Sequence, residues 1–160
     1  MRFVLTALAL CLALAFVACG DDSSAGEARP ASGDGDGDGP APVIKLPQGQ
    51  PPKKLVVKDL EVGKGPPAKP GDELEVYFTS FRYLNGEHFE TIWKPDKPFD
   101  FTLDDSDVIP GWVKGLPGMK VGGQRYLEVP GKQAARGGIS PFQDPDEYAL
   151  VYVVELLDVN

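Results

Sequence analysis

The second half of the chain alternates apolar and polar residues with a period of two in several short stretches, which is the pattern of half-buried β-strands. These stretches are residues 55–61, 74–82, 87–90, 99–103 and 125–129. A further stretch, 148–159, is apolar on both faces and predicts a central strand that is covered on each side. Asn85-Gly86 follows the second stretch and is a strong hairpin signal. The sequence therefore predicts an antiparallel sheet of about five or six strands.

One apolar segment has helical spacing instead. Pro110 fits the first turn of a helix, where its missing N–H costs nothing, and Gly115 ends the helix after about two turns. Trp112, Leu116 and Met119 then share one apolar face. Because a sheet and a helix bury such faces against each other, we predict an α+β fold with the sheet wrapped on one short helix. From this segment alone, a buried core helix and the floor of a pocket both remain open.

Polar residues give little support to conventional catalytic or metal sites. His88 is the only histidine and follows a hairpin turn among charged residues, so a solvated side chain is favoured over a catalytic triad. The acidic run 104–107 precedes the helix, and we expect it to cap the helix N-terminus rather than to bind metal. The sequence has no Cys/His cluster that could hold zinc, and nothing nominates a carboxylate pair for glycoside chemistry. No metal and no cofactor are therefore predicted.

The N-terminal residues 1–18 have the composition of a secretion signal, with Arg2 followed by an apolar run too short to favour a membrane-spanning helix. The end of this run, Phe16-Val17-Ala18-Cys19-Gly20, resembles the lipobox of bacterial lipoproteins, although Phe16 stands where leucine is usual. The resemblance implies that Cys19 carries a lipid and anchors the exported protein to a bacterial cell membrane, on the periplasmic side or at the cell surface. The alternative is a soluble secreted protein with a lone cysteine.

Residues 19–52 have no hydrophobic period and are rich in Asp, Ser, Gly, Ala and Pro, which predicts a disordered linker. Residues 34–39 alternate Asp and Gly like the start of a calcium loop, but Lys45 stands where a bidentate Glu is needed. A flexible tether is therefore the better interpretation. The net charge of −8, without a basic run, argues against nucleic-acid partners. The predicted folded domain is residues 53–160.

Several short motifs follow one another along this domain. They are Asn85-Gly86 with Phe89-Glu90, Lys97-Pro98-Phe99-Asp100-Phe101-Thr102-Leu103, Val108-Ile109-Pro110-Gly111-Trp112, Gly115-Leu116, Met119-Lys120-Val121-Gly122-Gly123 and Val154-Glu155-Leu156-Leu157. In this order and at this spacing, the chain from about Leu55 to Asn160 resembles an FKBP-type peptidyl-prolyl cis-trans isomerase. The resemblance implies the same α+β fold, isomerase activity on proline-containing protein or peptide segments, and a monomer.

The resemblance also implies a pocket for the proline ring, with a backbone N–H at its rim for the substrate carbonyl. Its residues in this sequence are Trp112 as the floor, Phe78, Phe89, Phe99 and Tyr152 as walls, Val108 and Ile109 at the rim, and Glu90 and Ile139 beside them. Ile109 keeps the backbone N–H that Pro110 lacks. Other apolar residues nearby, such as Phe101 and Leu156, are expected in the core.

The polar rim departs from the family pattern. Phe78 replaces a tyrosine, Glu90 replaces an aspartate, and Pro95 falls where its arginine partner is usual. The tyrosine of the loop over the pocket is absent around Ala135, and Arg136 is a candidate partner for Glu90. We therefore expect proline binding to be kept better than catalytic rate. The favoured function is a peptidyl-prolyl isomerase that assists folding of exported proteins, possessing reduced activity; the alternative is a tethered chaperone that binds proline segments without catalysis.

Overall fold

The computed structural model describes residues 41–94, 96–136 and 145–160. In these residues the strands are β1 (Val56–Glu61), β2 (Glu73–Arg82), β3 (His88–Ile92), β4 (Phe99–Thr102), β5 (Gln124–Val129) and β6 (Leu150–Val159). The helix α1 (Pro110–Gly115) lies between β4 and β5, and short 3-10 helices at Gly131–Gln133 and Pro145–Tyr148 lie between β5 and β6. The predicted α+β fold, a sheet with one short α-helix, is confirmed.

The strands form one antiparallel sheet in the order β1-β5-β6-β2-β3, with β4 also paired to β2. The strand β6 is central, as predicted, and its first five residues are all buried. One edge of the sheet is divided, because β4 pairs with residues 73–76 of β2 and β3 pairs with residues 78–81. The two short strands β3 and β4 therefore lie end to end along β2.

The face of the sheet that packs on α1 is called the inner face here. Leu74, Val76 and Phe78 alternate onto it from β2 and join one buried apolar cluster with Trp112. Because full burial of an aliphatic or aromatic side chain contributes about 1.5–3 kcal/mol, this cluster is the main stabilising element of the fold. The predicted face of Trp112, Leu116 and Met119 is buried in the same cluster, although only Trp112 lies within α1 itself.

The hairpin between β2 and β3 follows the sequence signal. Gly86 has φ 68°, a conformation that glycine adopts without strain, and Asn85 Oδ1 accepts a hydrogen bond from the Glu87 N–H at 3.0 Å. A side chain at Gly86 would also meet Leu46, whose Cδ1 lies 2.7 Å from the ideal Cβ position. The predicted hairpin is therefore confirmed.

The acidic run before α1 does not cap the helix, and that prediction is wrong. The N-cap residue is Ile109, which has no side-chain capping bond, and Pro110 occupies the first helical turn. Asp104 Oδ1 instead accepts hydrogen bonds from the N–H groups of Ser106 and Asp107, at 2.8 and 3.1 Å. The Asp104 carboxylate thus closes the turn before the helix starts, and hydrogen bonding to Ser106 lowers the pKa of Asp104.

The opposite, outer face of the sheet carries a second apolar cluster. Ile44 and Leu46 pack against the buried residues Tyr83, Ala149 and Val151. Both belong to the segment predicted as linker. The calcium-like run 34–39, Cys19 and the predicted signal peptide lie outside the described residues. None of the described helices is long and apolar enough to cross a membrane.

Replacing Ile44 and Leu46 together with serine should lower the free energy of unfolding by about 2 kcal/mol, since both are partly buried on the outer face. Urea unfolding of the wild type and of the double variant, at equal protein concentration, measures this difference in stability. Val43→Ser is the matched control, because Val43 is 75% exposed and its loss should leave the stability unchanged. Equal stability of the double variant and the wild type would mean that the segment does not pack on the sheet.

Candidate active site

Aromatic rings surround Trp112 on the inner face. Its ring centroid lies 5.2 Å from that of Phe78, 5.3 Å from Phe101, 5.4 Å from Tyr152 and 6.3 Å from Phe99. Most of these pairs are edge-to-face or tilted, which is the arrangement that aromatic quadrupoles favour. We call these residues the aromatic box: Phe78, Phe99, Phe101, Trp112 and Tyr152.

Strand periodicity brings the box together. Phe99 and Phe101 stand two residues apart on β4 and therefore point to the same face, where their rings stack at 5.4 Å. Phe101 is 6% exposed and belongs to the core, as expected, whereas Phe99 is only partly buried. Phe99 thus lies at the surface of the box, and Phe101 supports it from below.

The residues before α1 lie beside the box. Val108 is buried in the same cluster, and Ile109 is partly buried with an extended backbone, at φ −69° and ψ 150°. The Ile109 carbonyl oxygen accepts the first helical hydrogen bonds, from the N–H groups of Trp112 and Val113. This fixes α1, and with it the Trp112 ring, relative to the predicted rim.

Phe89 does not contact the box residues through its ring. It is 38% exposed and packs edge-to-face on Tyr148, with ring centroids 6.1 Å apart. The Arg82 guanidinium carbon lies 5.7 Å from the centre of the Phe89 ring. Tyr148 was not among the predicted site residues, and its position just before a strand gives no sequence signal for this contact.

Three neighbouring strands form a polar row next to the box. Ser80 on β2 pairs with Tyr152 on β6 and with Glu90 on β3. The Ser80 hydroxyl donates to the Glu90 carbonyl oxygen at 2.9 Å and accepts from the Glu90 N–H at 3.1 Å. Burial, and then the charge of Glu90, raise the pKa of Tyr152, so its hydroxyl stays protonated at neutral pH. This hydroxyl belongs to a residue that the sequence assigned only as an apolar wall.

The indole N–H of Trp112 is buried and has no hydrogen-bond partner among the described residues. Such a group costs about 1–3 kcal/mol relative to a paired one. The floor of the box therefore carries an indole N–H donor that is not hydrogen-bonded to any of the described residues.

A buried arginine holds the far end of α1. Arg125 is 7% exposed; its Nε donates to Asp59 Oδ1 at 2.6 Å, and its Nη1 donates to the Gly115 carbonyl oxygen at 2.8 Å. The carbonyl oxygens of Leu116 and Pro117 lie at 3.3 and 3.2 Å from the same nitrogen. A cation at the C-terminus of a helix complements its dipole, so Arg125 fixes the element that carries Trp112.

The remaining candidate residues lie elsewhere. Arg136 donates to the Ser106 carbonyl oxygen, on the turn before α1, rather than to the Glu90 carboxylate. His88 is exposed, and its Nε2 lies 2.8 Å from the Thr91 hydroxyl, so the expected solvated position is confirmed. Ile139 and Pro95 lie outside the described residues. No three His, Cys, Asp or Glu side chains in the described ranges converge on a possible metal position.

Comparison with known proteins identifies the family. The model of the FKBP-type peptidyl-prolyl cis-trans isomerases matches residues 65–157, which is more than half of the chain. The chain belongs to this family. A probable FK506-binding protein of Corynebacterium glutamicum is 38% identical over 116 residues, which cover 72% of this chain and 96% of the relative. An FK506-binding protein of Streptomyces anulatus is 36% identical over 124 residues, covering 74% and 96%.

Solved FKBP structures have the same fold. FkpA from Escherichia coli superposes with a TM-score of 0.55 at 36% identity, over 66% of this chain and 48% of that one. A peptidyl-prolyl cis-trans isomerase from Pseudomonas syringae gives 0.53 at 27% identity, over 66% and 75%. The protein is therefore an FKBP-type isomerase, and the predicted family, fold and enzyme class are confirmed.

Proposed function

We propose that the aromatic box of this FKBP-type isomerase binds the proline ring of an X–Pro segment on Trp112 and catalyses its cis–trans isomerisation. The main observation in support is that Trp112 contacts four other rings, while Phe99 at the edge of the same cluster remains partly exposed. A flat, rigid apolar surface of this kind suits a proline ring, which is itself rigid and apolar.

The proposed mechanism requires no nucleophile. Rotation about an X–Pro bond has a barrier of roughly 18–20 kcal/mol because the C–N bond has partial double-bond character. At the twisted midpoint this conjugation is lost, and the amide is less dipolar than in either planar form. An apolar, water-poor surface therefore stabilises the twisted amide relative to the planar ones. Each ~1.4 kcal/mol of this difference raises the rate tenfold.

Polar groups around the box would orient the substrate. The Ile109 N–H is the proposed donor to the substrate carbonyl, since it directly precedes the helix that carries Trp112. Tyr152 offers a protonated hydroxyl on the same face, which partly compensates for the hydroxyl that Phe78 lacks. Ser80 holds the backbone N–H and carbonyl of Glu90, which places Glu90 at the same edge. The loss of polar groups elsewhere at the rim is the reason we propose a reduced catalytic rate.

We further propose that the protein acts as a monomer on exported proteins, tethered by a lipid on Cys19. The support is the signal-like composition of residues 1–18, the lipobox-like end at Cys19, and the Gly- and Asp-rich chain that follows. The clients would be unfolded or partly folded chains with accessible X–Pro bonds. Labelling of the expressed protein with a radioactive fatty acid, compared with Cys19→Ser, tests the anchor.

The second candidate function is a tethered chaperone that binds proline segments without accelerating them. Two observations favour it: Phe78 lacks the hydroxyl usual at its position, and Phe89 exposes a large apolar ring that could hold unfolded chains. The two functions differ in whether the bound amide is twisted, so binding alone does not separate them.

An isomerisation assay distinguishes them. The protein from residue 20 onward should accelerate the cis–trans exchange of a short X–Pro peptide, measured by exchange NMR, in proportion to enzyme concentration. If the exchange rate equals the uncatalysed rate while an unfolded protein still binds, the chaperone function is correct. An Ala-substituted peptide without proline is the control for non-specific binding.

A further inference from the structure

Strand β1 and the residue that follows it expose a group of apolar side chains. Seven large hydrophobic residues are exposed among those that the structure describes, and four of them lie within residues 53–64. These four are Val56, Val57, Leu60 and Val62, with exposed fractions between 41% and 67%. Single exposed apolar residues need no explanation, but a group on and beside one strand indicates an interaction surface.

The position of β1 in the sheet explains this exposure. β1 pairs only with β5, so its other edge is free, and its first five residues are all exposed. A bulge interrupts the pairing, because Asp59 and Glu61 pair with Arg125 and Gln124 and leave Leu60 as the extra residue. Leu60 is therefore released from the regular alternation of the strand and is 46% exposed.

Four lysines lie between and beside these apolar residues. Each is exposed, and none forms an ion pair with another described residue. They are Lys53, Lys54, Lys58 and Lys64. The same stretch holds two carboxylates, Glu61 and Asp59, and the latter pairs with Arg125. Residues 53–64 are thus net positive in a chain whose net charge is −8. We call this stretch the basic edge.

The combination of lysine and aliphatic side chains narrows the kind of partner. Lysine on an edge strand prevents pairing with other chains, but exposed aliphatic residues promote the association that lysine prevents. Protection of the edge therefore explains only half of this surface. An anionic membrane suits both classes of side chain, because the ammonium groups contact lipid phosphates while the aliphatic groups enter the interface.

We propose that the basic edge is a membrane-contact surface that binds anionic phospholipids. Two observations favour a membrane over a protein partner. The first is unpaired positive charge in an otherwise acidic chain. The second is that the basic edge directly follows residues 19–52, through which the proposed anchor would hold the domain at the membrane, so that weak contacts suffice there. The contact itself does not require a lipid on Cys19.

This contact would leave the aromatic box accessible to clients. In the sheet order, β1 forms one edge, while β4, which carries Phe99, pairs with β2 near the other. Four strand spacings of about 4.8 Å separate β1 from β4, which is about 19 Å. With β1 on the membrane, the proposed proline surface is therefore held away from it.

Vesicle binding of the protein from residue 20 onward tests the proposal, since this chain keeps every described residue and carries no lipid. It is sedimented with vesicles of phosphatidylcholine alone and with vesicles that contain phosphatidylglycerol in equal amount. It should bind the anionic vesicles and not the zwitterionic ones. The binding should weaken as salt is raised to about 0.15 M, where charges more than about 8 Å apart are screened.

Lys53→Gln, Lys54→Gln and Lys58→Gln together should lower the partition coefficient for the anionic vesicles by about tenfold or more, because each lysine near such a surface strengthens binding about fivefold. The matched control makes the same change at three exposed lysines outside the basic edge, which should keep most of the binding. These are Lys69, Lys97 and Lys132. Leu60→Ser with Val62→Ser should lower the partition coefficient by about threefold or more.

Circular dichroism checks that each variant folds, and Lys53→Gln with Lys54→Gln, both before β1, replaces the triple variant if that one does not. The proposal is overturned if the wild type binds both kinds of vesicle equally or binds neither, or if the control loses as much binding as the lysine variant. Weaker capture of an unfolded protein by the lysine variant, without vesicle binding, would assign the edge to clients instead. Failure of the fatty-acid labelling at Cys19 would contradict the anchor and leave this result standing.

Discussion

Replacing Trp112 with alanine is expected to lower kcat/KM for a short X–Pro peptide by roughly tenfold or more, because the floor of the aromatic box is lost. Trp112 is 3% exposed and contacts every other ring of the box, so the same change should cost about 3–5 kcal/mol of stability. The measurement is peptide isomerisation at a temperature where both proteins are folded, together with urea unfolding.

Trp93→Ala is the matched control for this prediction. Trp93 is 6% exposed and packs on Tyr77, with ring centroids 5.8 Å apart. Tyr77 alternates with the inner-face residues of β2, so this pair lies on the outer face, away from the box. The control should lose a similar amount of stability and keep its kcat/KM. An equal loss of activity in both variants would show that stability, rather than the proline surface, determines the rate.

Arg125→Ala is expected to lower the free energy of unfolding by about 3–5 kcal/mol. The guanidinium is buried and donates to Asp59 and to the Gly115 carbonyl oxygen at the end of α1, so its removal leaves several acceptors without a donor. Asp59→Ala should cost less, because the Asp59 side chain is 41% exposed and the carbonyl acceptors of Arg125 remain. Urea unfolding of each variant measures these losses.

An exposed ion pair provides the comparison for Arg125. Lys97 and Asp100 lie 3.3 Å apart with side chains 85% and 57% exposed, so Lys97→Ala should change stability by less than about 1 kcal/mol. A loss in Arg125→Ala no greater than in Lys97→Ala would contradict the role of Arg125 in holding α1. Because α1 carries Trp112, Arg125→Ala should also reduce isomerase activity at temperatures where it remains folded.

Periodicity predicted β5 and the start of β2 because their side chains alternate between buried and more exposed positions. The alternation of Leu74, Val76 and Phe78 is decided by which face meets α1, and that information is local. The same alternation places Arg125 on the side of Leu127 and Val129, which the structure buries. The inward position of a charged residue was therefore the sequence signal that Arg125 holds α1. The composition of β5 alone suggests that Arg125 lies at the surface.

Local patterns were insufficient where an extra residue or a competing partner decides the geometry. The acidic run stands close enough to the helix to cap it, but Asp104 accepts from N–H groups within its own turn and Asp107 accepts from the Thr102 N–H on β4. The bulge at Phe89 depends on the pairing of β2 with β3, which no alternation within β3 reveals. For the same reason the sequence grouped Phe89 with the rings of the box and did not indicate Tyr148.

The division of one sheet edge into β3 and β4 affects how the protein can meet unfolded chains. A long uninterrupted edge offers its backbone N–H and C=O groups to any extended segment, and such pairing leads to aggregation. Here β3 ends at Ile92 after five residues and β4 begins at Phe99 with four. An unfolded chain can therefore form only short stretches of backbone pairing at this edge. Recognition then depends mainly on side chains, and the bound chain is released quickly. A catalyst that must turn over needs both properties.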